Sequence, residues 1–109
     1  MRLLSRVAER LYWMARYLER AEGTARLLRS YTHLIMDIPE GSQPGWETLL
    51  QTLNAESGFA QHYRAANETN VLKFIMADQD NPGSIARSIQ AARENVRTTR
   101  DVVPAEVWE

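Results

Sequence analysis

The sequence contains no cysteine and no long apolar run, and each absence removes classes of protein. Without cysteine, disulfides, zinc–thiolate sites and thiol chemistry are excluded. No apolar stretch approaches the ~18 residues of a membrane-spanning helix, and charged residues interrupt the start of the chain too early for a signal peptide. We therefore expect a cytoplasmic protein without a membrane partner.

An excess of positive charge is also missing. The 109 residues carry a formal net charge of −1, whereas proteins that bind nucleic acid through bulk charge are clearly basic. Imidazole ligands are scarce, since His33 and His62 are the only histidines and lie far apart in the sequence. No nucleotide-binding fingerprint is present. We expect no nucleic-acid partner, no metal and no cofactor.

Strand patterns are absent as well, and helical periodicity takes their place. No proline precedes Pro39, and apolar positions in the first third recur at three- and four-residue steps, which predicts a helix over about residues 2–37. Its predicted core-facing stripe is Leu4, Val7, Leu11, Met14, Leu18, Ala21, Ala25 and Leu28. At ~1.5 Å per residue this rod is roughly 50 Å long, so we expect it to protrude from a compact domain of about 35 Å or to be covered by another molecule.

The rest of the chain predicts a loop at 38–45 and further helices, giving an all-α helical bundle. The predicted helices are three short ones at about 46–53, 56–64 and 71–77, and a second long one at about 84–102. The stripe of the last helix is Ile85, Ile89, Ala92, Val96, Thr99 and Val103. We expect one all-helical domain over residues 1–109, or the N-terminal fragment of one, completed by further sequence or by an oligomer.

The turn before the last helix has two readings. A glycine and a serine at a helix N-terminus, here Gly83 and Ser84, can hold a phosphate or carboxylate. Helix capping explains the same residues, with Asn81 as the N-cap and Pro82 in the first helical position. We favour capping.

Alternating charges on the outer face of the first helix form a candidate polar site. Its members are Glu9, Arg16, Glu19 and Arg26, with Arg93 of the last helix as an addition. Paired carboxylates can perform acid–base chemistry or hold Mg²⁺, and arginine can clamp an anion. The alternative is a structural ladder of ion pairs, because Arg16 and Glu19 have the three-residue spacing of neighbours on a helix surface.

Two further groups of residues are candidates for a protein interface. Trp13 and Tyr17 lie four residues apart on the over-long helix, where aromatic rings suit a contact surface. Arg97 and Arg100 lie on one flank of the last helix, beside Arg93. The alternative for these arginines is that their stems cover apolar surface while their charged ends stay in water.

Several segments together resemble one known family. Residues 5–22, which include the pairs Glu9-Arg10 and Glu19-Arg20, closely resemble the opening of the bacterial alpha-E domain family, named for α-helices and a Glu-Arg motif. Residues 80–85 and 92–97 resemble its second signature, and residues 103–108 resemble the approach to its next helix. The resemblance implies a helical domain of unknown function, often encoded beside or fused to an ATP-grasp ligase and a transglutaminase-like peptidase.

These observations favour a non-enzymatic interaction or accessory module over an enzyme. Its expected partners are a second copy of the chain or another protein, and the resemblance implies an ATP-grasp ligase acting in peptide or amide-bond metabolism. The alternative is an enzyme, or a ligand-binding subunit of one, in ATP-dependent peptide ligation. That alternative places its site on the line formed by Glu9, Arg16 and Glu19.

Overall fold

The computed structural model describes residues 2–43 and 45–102, without the side chains of residues 2, 3 and 99–102. Within that part the chain folds into five helices and no strand: α1 (Arg2–Asp37), α2 (Trp46–Thr52), α3 (Glu56–His62), α4 (Glu68–Met76) and α5 (Ile85–Val102). The predicted all-α class and the two long helices are confirmed. The segment expected to resemble the approach to another helix, and the stripe residue Val103, lie outside the described residues.

The first helix is unbroken and gives the molecule an elongated shape. Gly23 lies inside α1 without interrupting it. The molecule measures 60 × 28 × 20 Å and has a radius of gyration of 18.0 Å, whereas a compact chain of this length has about 13 Å. The long helix therefore gives a molecule longer than the compact domain of about 35 Å that a chain of this length forms, and coverage of the rod by another molecule stays a prediction.

The last helix runs back along the first, so α1 and α5 form an antiparallel hairpin. They are the most extensively packed pair of helices. Ile85 at the start of α5 lies beside Ala25 and Leu28 of α1, while Thr98 near the end of α5 lies beside Arg6 and Arg10. We call residues 4–25 with residues 85–98 the arm.

The seam between the two helices follows a seven-residue repeat. Its buried or half-buried members are Val7, Met14, Tyr17, Ala21, Thr24, Leu28 and Tyr31 on α1, and Ile85, Ser88, Ala92 and Asn95 on α5. The steps of three and four alternate, as in helices that pack side by side. Ala21, Ser88 and Ala92 are small and at most 6% exposed, so the helix backbones approach closely at this point.

This seam differs from the predicted apolar stripes, which are wrong at several positions. Leu11 and Leu18 are 42% and 45% exposed, and Ile89 on α5 is 44% exposed. Two stripes one residue apart fit the same spacing rule, and packing against α5 selects the one that contains Tyr17 and Thr24, which are half-buried, over the one that contains Leu18 and Ala25. The prediction that Leu18 belongs to the core is therefore wrong.

The main core lies at the opposite end of the molecule from the tip of the arm. There the second half of α1 packs with α2, α3 and α4 around one apolar cluster. Its buried members are Leu28, Tyr31, Leu49, Leu50, Phe59, Val71, Phe74 and Ile75. Phe59, Tyr63 and Phe74 form an aromatic triad in which Phe74 meets both other rings edge-on, at 5.4 and 5.9 Å between ring centroids.

Side chains end and begin the helices, and one predicted cap is wrong. Asn67 accepts the Asn70 N–H at 2.9 Å and caps α4, so this helix begins at Glu68, three residues before its predicted start. At α5 the cap is Ser84, whose Oγ accepts the Arg87 N–H at 3.1 Å, so Asn81 and Pro82 do not open that helix. Asn81 instead accepts the Gly83 N–H at 3.0 Å and donates to the Phe74 carbonyl at 3.0 Å, which ties the turn to α4.

A second tie joins the end of α3 to the turn after α4. The Tyr63 hydroxyl donates to Asp78 at 2.7 Å, and Asp78 also accepts the Asp80 N–H at 2.9 Å. The hydrogen bond from Tyr63 and, to a smaller extent, the bond from the Asp80 N–H hold the pKa of Asp78 below its ordinary value. The same hydrogen bond raises the pKa of the Tyr63 hydroxyl.

The sign of these shifts gives a pH-dependent prediction. A lowered carboxyl pKa stabilises the fold above the unfolded value of about 3.9, and that stability is lost as the pH falls through the folded value. A raised tyrosine pKa stabilises the fold below the unfolded value of about 10, and that stability is lost as the pH rises through the folded value. We expect Tyr63→Phe to lower the free energy of unfolding at pH 7 by about 1 kcal/mol, and this difference to shrink when urea unfolding is repeated at pH 3.

Tyr12→Phe is the matched control, because Tyr12 is 57% exposed and its hydroxyl makes no hydrogen bond to the described residues. It should leave stability unchanged at both pH values. Equal losses at pH 7 and pH 3 for Tyr63→Phe would show that the ionised Asp78 is not the partner that matters.

Candidate functional site

The predicted polar line lies on the outer, exposed face of α1. Arg16 and Glu19 form an ion pair at 3.4 Å between Nη1 and Oε2, with side chains 59% and 69% exposed. Arg26 pairs with Glu22 rather than with another member of the line. Exposed pairs at these spacings contribute only about 0.2–0.5 kcal/mol each.

The two carboxylates of that line do not form a pair. Glu9 and Glu19 are ten residues apart on one straight helix, which corresponds to ~15 Å along its axis. Arg93 is exposed on α5, and no hydrogen bond or ion pair joins it to the line among the residues described. In residues 2–43 and 45–102 no group of three acidic or histidine side chains could hold a metal ion. A catalytic or binding role for the line stays a prediction.

The predicted interface residues lie on different surfaces. Trp13 is 45% exposed and its ring meets Tyr12 edge-on at 5.4 Å and Tyr17 at 6.2 Å. Arg97 donates to Glu94, one of the two bonds measuring 3.2 Å, and this guanidinium holds the pKa of the Glu94 carboxyl below its ordinary value. The side chain of Arg100 lies outside the described residues.

A row of apolar side chains on the arm is largely exposed among the residues that the structure describes. This row consists of Leu4, Leu11, Leu18 and Ala25 on α1, and Ile89 and Val96 on α5. Because the helices are antiparallel, the two rows lie on the same side of the hairpin. Leu4 is 66% exposed, the other two leucines and Ile89 are each more than 40% exposed, and Ala25 is exposed. We call these six residues the leucine face.

The opposite side of the arm carries a cavity that sequence reasoning did not identify. Arg20 of α1 faces the turn before α5, so close that a Cβ added to Gly83 would lie 3.1 Å from the Arg20 Nη2 atom. The space between them is a cavity of about 490 Å³. It is lined by Arg20, Thr24, Leu53, Asn54, Ala55, Gly58, Phe74, Ile75, Asn81, Pro82 and Gly83. We call it the Arg20 cavity.

The cavity brings together the two segments that carry the family resemblance. Arg20 belongs to the Glu19-Arg20 pair in the first segment, and Asn81 to Gly83 belong to the second. More than sixty residues separate them in sequence, so neither segment alone indicates the contact. A signal was present in Gly83, because a glycine in a polar turn often permits a close approach.

Comparison with known proteins shows which family the chain resembles. A family model described as a predicted alpha-helical domain with a conserved ER motif matches residues 3–109. An uncharacterized protein of Mycobacterium bovis and one of Mycobacterium tuberculosis strain CDC 1551 are each 30% identical to the chain over 120 residues, and a third, from Mycobacterium tuberculosis strain H37Rv, is 29% identical. Each match covers 94% of this chain but only 13% of the relative.

No solved structure matches the chain significantly. Within the described ranges, no helix combines the length and apolar character that crossing a membrane requires. Three observations point to the same family. They are the two segments that resemble its signatures, the helices of the described part, and the family model that matches residues 3–109. The chain belongs to the Alpha-E family of helical domains.

Proposed function

We propose that this chain is a helical interaction module that pairs with a second copy of itself through the leucine face. The observation that carries the proposal is the exposure of this apolar row, in which Leu4, Leu11, Leu18 and Ile89 are each more than 40% exposed. Charged residues dominate the outer face of α1, so the apolar row is not a general property of the surface. Contiguous apolar patches of this kind mark interaction sites in soluble proteins.

The size of the face suits a stable contact. The row on α1 from Leu4 to Ala25 is ~32 Å long at the rise of an α-helix, and two helices packed at 8–10 Å make a face about 20 Å wide. These dimensions correspond to a flat area of roughly 640 Å², which lies at the lower end of the roughly 600–1,000 Å² that each partner buries in specific interfaces. Apolar area removed from water contributes roughly 25 cal/mol per Å² before the costs of association are subtracted.

The face is also complementary to itself. Leu4, Leu11, Leu18 and Ala25 are spaced by seven residues, so an antiparallel second copy presents the same row in reverse and places Leu11 of one chain opposite Leu18 of the other. The small, exposed Ala8 and Ala15 lie between these leucines and allow the helices to approach. A two-fold contact of this type uses the same patch on both subunits and closes without forming a filament.

The same two-fold axis also pairs the apolar row of α5 with its copy in the second chain. The row on α1 is centred near residues 14 and 15, and the pair formed by Ile89 and Val96 is centred near residues 92 and 93. The register of the hairpin, which sets Ala25 beside Ile85 and Arg6 near Thr98, brings these two centres to a similar height. One axis therefore pairs both rows, and the product is a four-helix arrangement with antiparallel neighbours.

The wider role that we propose is that of an accessory unit in the cytoplasm, acting as one helical unit beside an ATP-grasp ligase and a transglutaminase-like peptidase in peptide or amide-bond metabolism. The family resemblance supports this role. In the relatives the matched segment is 13% of the length, so there it is joined to much more protein. An enzyme built on Glu9, Arg16 and Glu19 has less support, because those side chains are exposed and spread along one helix.

Sedimentation equilibrium of the purified chain at several micromolar concentrations tests the proposal. We expect a reversible monomer–dimer equilibrium, with a dissociation constant that changes little with salt because the leucine face is apolar. A monomer at every concentration would contradict the proposal and leave the face to a different protein partner. Assembly that grows steadily beyond the dimer would contradict the two-fold contact.

A further inference from the structure

The Arg20 cavity is the second feature of the molecule that lacks an assigned role, and it is independent of the leucine face. It lies on the other side of the arm, between α1, the α2–α3 connection and the turn before α5. Its volume of about 490 Å³ falls within the roughly 300–1,000 Å³ typical of small-ligand sites. Its floor is apolar, with Phe74 and Ile75 each 1% exposed beneath it.

The charge of the cavity selects the class of ligand. Arg20 is the one charged side chain among the described residues that line it, and no carboxylate is present there. The Arg20 guanidinium forms no ion pair or hydrogen bond with the part of the chain that the structure describes. Arg20 is exposed, as are Arg16 and Arg26 on the same helix, each of which binds a glutamate. The cavity therefore has a cationic group whose natural partner, a planar carboxylate, is not supplied by the described fold.

The turn fixes where that cation sits. Asn81 uses both ends of its side-chain amide, one for the Gly83 N–H and one for the Phe74 carbonyl, so the turn is rigidly attached to α4. Gly83 leaves just enough room for the guanidinium, which would meet an added Cβ at 3.1 Å. The backbone at Asn54, on the opposite wall, has a φ of 53°, which turns the chain sharply at the end of α2 and shapes the rim.

We infer that the Arg20 cavity binds a small carboxylate that carries an apolar group, with the carboxylate at Arg20 and the apolar group against Phe74 and Ile75. Thr24 and Asn54 line the same space and offer hydrogen bonds to an amide next to the carboxylate. An N-acylated apolar amino acid and the C-terminal residue of a peptide share this chemistry. The inference does not depend on self-association and extends the function proposed above.

Titrations followed by NMR test the inference with defined probes. N-acetyl-leucine should bind saturably and shift the Gly83 and Phe74 amide resonances, whereas N-acetyl-leucinamide, which lacks the charge, should bind at least about tenfold more weakly because a charge-assisted hydrogen bond is lost. An acetylated tripeptide ending in leucine distinguishes a free N-acylated amino acid from a peptide C-terminus as the ligand. It binds at least as tightly as N-acetyl-leucine only if the cavity accepts a peptide C-terminus. Inorganic phosphate tests whether charge alone is enough.

Matched variants locate the site. Arg20→Gln should weaken N-acetyl-leucine at least about tenfold, while Arg16→Gln, one turn away on the same helix, should leave binding unchanged. Gly83→Ala should also weaken binding by displacing the guanidinium, and an unchanged melting temperature of each variant shows that the fold is intact. The inference is overturned if the wild type shows no saturable binding, if phosphate binds as well as N-acetyl-leucine, or if Arg20→Gln binds normally.

Discussion

Replacing Phe74 with alanine is expected to lower the free energy of unfolding by about 3–5 kcal/mol. Phe74 is 1% exposed and stands at the centre of the aromatic triad, with Phe59 and Tyr63 both edge-on to its ring. Its removal leaves a cavity bounded by rings that cannot collapse inward, because Tyr63 is also tied to Asp78. Loss of two edge-on contacts adds to the loss of buried area.

Urea unfolding at one fixed protein concentration measures this effect, since self-association would otherwise alter apparent stability. Met76→Ala is the control, because Met76 lies on the same helix but is 49% exposed, and we expect it to cost less than about 1 kcal/mol. A loss below about 1 kcal/mol for Phe74→Ala would mean that the core is not organised around this ring.

The sequence allowed the helices to be predicted closely because its boundaries are chemically marked. Pro39 follows the end of α1, Asn67 caps α4, and a polar turn containing Pro82 and Gly83 precedes α5. Each of these residues acts on its own neighbours, so its effect is readable without knowledge of the fold. The cap of α5 was misplaced because Asn81 competes with Ser84 for the same role, and the bonds of Asn81 to Gly83 and Phe74 decide the outcome.

The buried face of α1 was not predictable to the same degree. Leu11 and Tyr17 both lie on rows with three- and four-residue steps, and periodicity alone does not say which row meets another helix. That choice depends on Ser88 and Ala92 of α5, whose small size draws the helices together. A long helix that is apolar over most of its circumference gives an ambiguous pattern, and the row left outside becomes the leucine face.

The Arg20 cavity was missed for a related reason. Arg20 is one of four arginines in the first twenty residues after Leu4, and nothing local separates it from Arg16. It becomes distinct only when α5 folds back and sets Gly83 against it. The candidate polar line, in contrast, was selected from spacing within one helix, which is the spacing that also produces ordinary surface ion pairs.

The two-fold contact through the leucine face predicts that Ala15 of one copy lies close to Ala15 of the other. Ala15 is exposed and lies near the centre of the row from Leu4 to Ala25. The chain has no cysteine of its own, so Ala15→Cys introduces a single thiol. Leu34→Cys is the matched control, because Leu34 is 48% exposed on the same helix but lies beyond the arm and off the leucine face.

Treatment of both variants with a short bismaleimide, followed by denaturing electrophoresis, is the most direct measurement of this contact. We expect Ala15→Cys to be converted mostly to a covalent dimer at micromolar concentration, Leu34→Cys to remain a monomer, and the addition of Leu11→Asp to Ala15→Cys to abolish the cross-link by burying a charge in the contact. Equal cross-linking of Ala15→Cys and Leu34→Cys, or a cross-link that persists with Leu11→Asp, would contradict the proposed pairing.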